Sequence, residues 1–142
     1  MTDEQLTILV VDDEQEIADL YSMWLDREHE VRTAYSGQEA LEAVDESVDI
    51  VFLDRRMPEL TGDEVLAEMR ERGLDCCVAL MTAVDPDFDI IDLGFDAYLT
   101  KPVMRDDLDE AVETLREREA VEKTRREYRA LVSKKSRSAS SP

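Results

Sequence analysis

The stretch Ile50-Val51-Phe52-Leu53-Asp54-Arg55-Arg56-Met57-Pro58 passes from four consecutive apolar residues straight into a carboxylate and a turn. Apolar at every position rather than at alternate ones, such a run suits a strand covered on both faces. Upstream, Thr7–Val11 is a second run of this kind, followed by a helical stripe of Ile17, Leu20, Tyr21, Trp24 and Leu25. Val31–Tyr35 reads as a short strand, and Ser36 with Glu39 forms a capping-box pair opening a helix that carries Ala40, Leu41 and Val44. Downstream of the turn Met57–Gly62, Thr61 and Glu64 repeat the capping pattern ahead of Val65, Leu66 and Met69, and Gly73 closes that helix. Cys76–Met81 is the fourth strand and Ala97–Thr100 the fifth. Between them Asp85–Gly94, which contains Pro86, has room only for a short helix. The last helix begins near Arg105 and carries Leu108, Ala111, Val112 and Leu115. Five βα units predict an α/β fold: a doubly wound, five-stranded parallel sheet with helices on both faces. Trp24, Met23, Met69 and Met81 are expected in its core.

Composition narrows the class of protein. The 142 residues are 43% apolar, enough for one domain with its own core and a short appendage. No apolar run approaches the roughly 20 residues of a membrane helix, and Met1–Gln5 is too polar for a secretory signal, so a cytoplasmic protein is expected. Cys76 and Cys77 are neighbours, too close for a disulfide, and His29 is the only imidazole, so both thiols read as small buried hydrophobes. Acids outnumber bases 36 to 17 for a net charge of −19, and the bases are thirteen arginines against four lysines. Such a surface repels nucleic acid, anionic membrane and itself, and salt screens the repulsion, which suggests a halophile's salt-rich cytoplasm.

The charge is not evenly spread. Residues 1–115 carry −24 and residues 116–142 carry +5, which marks a boundary near Leu115–Glu119. The division is read as residues 1–116 forming the domain and 117–142 a charged helical extension. Val121, Thr124, Tyr128 and Leu131 recur there at helical spacing, either prolonging the last helix or forming another. Ser133–Pro142, rich in Ser, Lys and Arg, is expected to be disordered. The basic stretch Lys123–Arg137 has one tyrosine and interleaved glutamates, which favours a solvated helix over a nucleic-acid surface.

Chemistry gathers at one edge. In a parallel sheet the carboxyl ends of the strands lie along one rim, where such folds bind ligands. Asp12 and Asp13 follow the first strand, Asp54 ends the third, Thr82 ends the fourth and Lys101 follows the fifth. Three carboxylates meeting there repel one another unless a cation intervenes, and Mg²⁺ suits a few carboxylates completed by water and phosphate. A carboxylate can be the nucleophile of phosphoryl transfer, Lys101 supplies a point charge and Thr82 a hydrogen bond.

The segments Val10-Val11-Asp12-Asp13-Glu14, Leu53-Asp54-Arg55-Arg56-Met57-Pro58, Leu80-Met81-Thr82-Ala83 and Tyr98-Leu99-Thr100-Lys101-Pro102 resemble the receiver domain of two-component response regulators, in order, over about residues 6–116. The resemblance implies a flavodoxin-like strand order, 2-1-3-4-5. It implies a signalling phosphoacceptor, not an enzyme with a separate substrate, that assists its own phosphorylation and dephosphorylation. Asp54 takes the phosphoryl group from a sensor histidine kinase, and Asp12, Asp13, Asp54 and the Arg56 backbone carbonyl bind Mg²⁺. It further implies that Thr82 and Tyr98 form the switch pair, although an aromatic inside a strand is ordinarily core. The Lys101–Pro102 bond is expected to be cis. Phosphorylation adds about −1.5 to −2 charges and three acceptor oxygens, toward which Thr82 would move, opening space for Tyr98 to rotate. Arg56 and Val84, each two positions beyond a site residue, would flank the phosphate and set its lifetime. The composition and Ala83-Val84-Asp85-Pro86-Asp87-Phe88-Asp89 resemble the haloarchaeal HalX-type regulators, in which a C-terminal helical domain follows the receiver.

Thr82 and Lys101 are closer in sequence than the family leads one to expect, so the fourth helix, and the family's usual homodimer face with it, is expected to be curtailed. Nucleic-acid binding is not expected of residues 1–116 and would belong to a C-terminal domain that this chain lacks or holds in part. Two other readings use the same residues. A haloacid-dehalogenase-like phosphatase would have Asp12 as nucleophile, with Glu14 where that class has its second acid. A phosphorylation-independent adaptor would work through the acidic surface or the C-terminal helix.

Overall fold

The computed structural model describes residues 5–83 and 94–140. Five strands, β1 (Thr7–Val11), β2 (Glu30–Ala34), β3 (Ile50–Asp54), β4 (Cys77–Thr82) and β5 (Ala97–Thr100), form one all-parallel sheet in the order β2-β1-β3-β4-β5. Four helices are described: α1 (Gln15–Leu25), α2 (Gly37–Ala43), α3 (Gly62–Glu71) and α4 (Arg105–Ser140). The residues 85–94 expected to hold a short helix fall, but for Gly94, outside the described residues, and so does Val84.

Successive side chains of a strand point to opposite faces, so an uninterrupted apolar strand feeds two cores. Ile8, Val10, Ile50, Phe52, Ala79 and Met81 pack with Ala18, Tyr21 and Leu25 of α1 and Leu108, Val112 and Leu115 of α4. Leu9, Val11, Val51, Leu53, Val78 and Leu80 pack with Ala40 of α2 and Val65, Leu66 and Met69 of α3. Cys77 enters the first core and Cys76 the second; both thiols are free, and burial pushes them up to about 12 and about 11.

Helix ends follow the capping residues. Thr61 and Glu64 make the complete reciprocal box at α3. At α2, Ser36 accepts from the Glu39 N–H, but the Glu39 carboxylate reaches back one residue further, to the Tyr35 N–H at 3.0 Å. That bond turns Tyr35 out of the ladder, so β2 runs Glu30–Ala34 rather than to Tyr35. β4 is likewise displaced by one residue. The Cys76 carbonyl is drawn to the Arg70 guanidinium (2.9 Å), while Thr82 stays in the sheet by accepting from the Lys101 N–H (2.8 Å).

Two expectations are corrected. Met23 is 62% exposed, because the buried residues of α1 are Ala18, Tyr21 and Leu25, and position 23 falls outside that 3-then-4 spacing. Composition suggests disorder from Ser133, whereas α4 continues through Ser140. No glycine or proline stands between Pro102 and Pro142 to stop it, and the sequence is rich in helix-favouring Arg, Glu, Ala and Lys.

His29 is 5% exposed and its Nδ1 accepts a hydrogen bond from the Leu6 N–H, joining the end of α1 to the start of β1. Burial, then the Arg116 charge, holds its pKa below the ordinary value. The unfolded chain therefore takes up this proton first as pH falls, and the stability His29 contributes is present above about pH 6.5 and lost through the lower folded-state pKa. Denaturant melts should show His29→Gln less stable than the parent at pH 7.5 by on the order of 1 kcal/mol, with the gap closing toward pH 5. A gap independent of pH would contradict this.

Candidate functional site

Each strand end delivers one part of the site. Asp12 leaves β1 fully buried, held by its own N–H on the Ala34 carbonyl (3.2 Å), while its Oδ1 accepts from the Glu14 N–H (2.9 Å). Asp13, the next residue, is exposed. Asp54 closes β3 with 3% of its surface exposed, and its Oδ1 takes a 3.3 Å bond from the Arg56 N–H. One carboxylate oxygen from each of Asp12, Asp13 and Asp54 lies within 4.8 Å of the others. The Lys101 ammonium sits 3.1 Å from Asp12 Oδ2 and 3.3 Å from Asp54 Oδ1, across 89 and 47 positions of sequence respectively.

Lys101 is aimed by its surroundings. Its N–H donates to the Thr82 carbonyl at the end of β4, and the Lys101–Pro102 peptide is cis. Tyr21 of α1 is buried, and its pKa is raised chiefly by burial, with the Lys101 charge opposing. Thr82 is buried, with 2% of its surface exposed. The register pairs Leu80 with Tyr98 and Thr82 with Thr100, so Thr82 and Tyr98 lie diagonally on one face of the sheet. Tyr98 is 42% exposed and is not a core residue.

The loop after Asp54 is held by contacts that sequence reading did not single out. Gly62 packs so closely that a Cβ there would stand 2.3 Å from the Asp54 carbonyl oxygen and 2.7 Å from Arg55 Cα. A Cβ on Gly37 would stand 2.7 Å from the Leu60 carbonyl oxygen of the same loop. Arg55 Nε engages both oxygens of Asp63 at 3.1 and 3.2 Å, and Glu59 takes a left-handed φ of 67°. The one sequence signal for these was a glycine directly after each capping residue, Ser36-Gly37 and Thr61-Gly62.

Electrostatics follow from this crowding. Burial first, then the negative charge of Asp12, pushes the Asp54 carboxyl up to about 7, with Lys101 opposing. Burial disfavours the charge on Lys101, but Asp54 and Asp12 together outweigh it and leave the ammonium above its ordinary pKa. One ammonium cannot neutralise three acids. The donors are all oxygens, two of the carboxylates are buried and the third stands exposed beside them, which fits a hard divalent cation.

An all-parallel α/β domain with an acidic, lysine-bearing cluster on its carboxyl rim defines a recognisable class. The family model described as "Response regulator receiver domain" matches residues 8–113. The chain belongs to that family and is a receiver domain of the two-component response-regulator type. It is 57% identical over 127 residues to a Haloferax volcanii protein named as a transcriptional regulator, covering 89% of this chain and 22% of that protein. It is 37% identical over 99 residues to the response regulator SaeR of Staphylococcus aureus, covering 67% of this chain and 43% of that one. The chain thus spans less than half the length of these relatives. A solved receiver domain from Clostridium thermocellum superposes with a TM-score of 0.73 at 32% identity, covering 82% of this chain and 98% of the other. The 57% identity is to a haloarchaeal protein, in line with the halophilic reading of the acidic composition. Among the described residues, no helix is long and apolar enough to cross a membrane.

Asp54 gives the metal-free protein a distinctive pH dependence. Its folded-state pKa lies above the unfolded value, so the folded protein holds a proton the unfolded chain would release. Stability is therefore present below about pH 4 and lost as pH rises toward 7. Without divalent ions, Asp54→Asn should be more stable than the parent at pH 8 by on the order of 1–3 kcal/mol and should differ little from it at pH 4. Denaturant melts at both pH values check this; an Asp54→Asn variant less stable at pH 8 would contradict it.

Proposed function

We propose that this chain is a phosphoacceptor switch that takes a phosphoryl group from a sensor histidine kinase onto Asp54. The observation that carries the reading is the contact of a buried Asp54 with Lys101 and Asp12 at the carboxyl rim. Membership in the receiver family favours this reading over the phosphatase one, and the phosphodonor experiment below separates it from the adaptor. An Asp54 carboxylate oxygen attacks the phosphorus of phosphohistidine. A P–O bond forms, the P–N bond breaks, and the departing imidazole takes up a proton. Mg²⁺, held by Asp12, Asp13, Asp54 and the Arg56 carbonyl, would keep Asp54 ionised and neutralise the transferring oxygens. Lys101 would stabilise the same charge, and Thr82 would donate its hydroxyl to the phosphate. Thr82 moves toward the phosphate and Tyr98 turns inward from its exposed position, remodelling the surface around β5. The signal is read in the cytoplasm.

Residues 1–116 act as the receiver and 117–142 as the extension that leads toward an output domain of HalX type. Any contact with nucleic acid belongs to that domain, since residues 1–115 carry −24. The relative named as a transcriptional regulator supports this arrangement.

Incubation with acetyl phosphate and Mg²⁺ followed by intact mass measurement should show one phosphoryl group per chain, and none in Asp54→Asn. Lys101→Ala should slow the reaction by about 10²-fold. A label that persists in Asp54→Asn, or its absence from the parent, would refute the assignment. Val84 is proposed to shield the acyl phosphate from water. Val84→Glu should then shorten its half-life roughly tenfold by supplying an acid–base group, and an unchanged half-life would refute the shielding role.

A further inference from the structure

Asp54 is followed by an arginine that faces away from it. The Arg55 N–H donates to the Met81 carbonyl (2.9 Å), which carries the β3–β4 ladder one residue past Asp54. Side chains alternate along a strand, so Arg55 falls on the α3 face of the sheet and Asp54 on the other. There its Nε meets both oxygens of Asp63, in the first turn of α3, at 3.1 and 3.2 Å, and the Arg55 side chain is only 14% exposed. One residue before Asp63, the Gly62 N–H donates to the Arg55 carbonyl (2.9 Å). Backbone and side chain of Arg55 thus close the base of the loop formed by residues 56–61. Within the loop, Arg56 touches the site through a long bond, 3.3 Å from its N–H to Asp54 Oδ1. Arg55, Arg56, Met57, Thr61 and Asp63 line an open recess of about 460 Å³, which leaves the loop room to settle elsewhere.

Given Mg²⁺ held by Asp12, Asp13, Asp54 and the Arg56 carbonyl, as proposed, we infer that the Arg55–Asp63 pair is a positioning device for that cation. It keeps the loop from sinking into the recess and so holds the Arg56 backbone ready as a ligand. Ligands already in place bind more tightly, and removing the groups that orient them costs about 10–100-fold in metal affinity. Charge alone predicts the opposite sign. Arg55 is a cation one residue from Asp54, so losing its charge would draw Mg²⁺ in more strongly. A partly buried ion pair also adds little stability over apolar residues of similar size, so its effect is to be read at the cation rather than in the fold.

Calorimetric titration of the full, unphosphorylated chain with Mg²⁺ at fixed ionic strength tests this, with circular dichroism to show each variant folded. Arg55→Gln should bind Mg²⁺ about tenfold more weakly than the parent. Arg55→Met, which keeps the apolar stem in place, should show the same loss and stands in should the glutamine variant fail to fold. Arg55→Gln combined with Asp63→Asn has the parent's net charge and should be no tighter than Arg55→Gln alone. Mg²⁺ bound equally or more tightly by the single variants overturns the positioning role and leaves the phosphoacceptor reading standing. A double variant restored to the parent's affinity overturns it as well, because charge then accounts for the whole effect. A parent that takes up no Mg²⁺ overturns both.

Discussion

Three carboxylates share a rim with one ammonium, and much of the molecule exists to hold them there. Asp12 has no exposed surface and Asp54 almost none, yet they converge on the same Lys101 nitrogen. Left to themselves, like charges at this spacing move apart or take up a proton. They cannot move apart, because Asp12 and Asp54 continue the adjacent interior strands β1 and β3, so Asp54 keeps its proton up to about pH 7. The cost is localised at one edge and is offset by apolar cores on both faces of the sheet. A receiver of phosphate profits from that tension, since a cation and a transferred phosphoryl group act on charges already in position.

The loop after Asp54 shows how backbone packing protects this arrangement. Gly62 and Gly37 let the starts of α3 and α2 approach within a distance no side chain would tolerate, pressing the loop against the end of β3. Arg55 ties the same loop to α3 through Asp63. The Arg56 N–H is thereby left directed at Asp54 Oδ1. The contribution of Gly37, Gly62 and Arg55 is to deny the loop other conformations.

The strands were legible because uninterrupted apolar runs have few other uses in a soluble chain, and β1 and β5 fall where the pattern set them. The one-residue shifts of β2 and β4 came from side chains competing for backbone groups, Glu39 for the Tyr35 N–H and Arg70 for the Cys76 carbonyl. Periodicity carries no information about such competition. Met23 misled because hydrophobicity alone does not say which side of α1 meets the sheet. At the site, Asp12, Asp13, Asp54 and Lys101 could be gathered from topology, since parallel strands end on one side. The close approach of Gly62 to the Asp54 carbonyl needed three-dimensional structure, because nothing in a lone glycine names its neighbour.

The surface charge and the rim obey the same electrostatics at different ranges. Salt screens the exposed acids of the body but reaches the buried pair Asp12 and Asp54 far less. The most direct test of this account is the ionisation of Asp54 itself, followed by carboxyl carbon NMR in the metal-free protein and again with Mg²⁺. A titration centred near 7 is expected without metal, with a marked fall when Mg²⁺ is present. A carboxyl that titrates in the ordinary range near 4 under both conditions would contradict it.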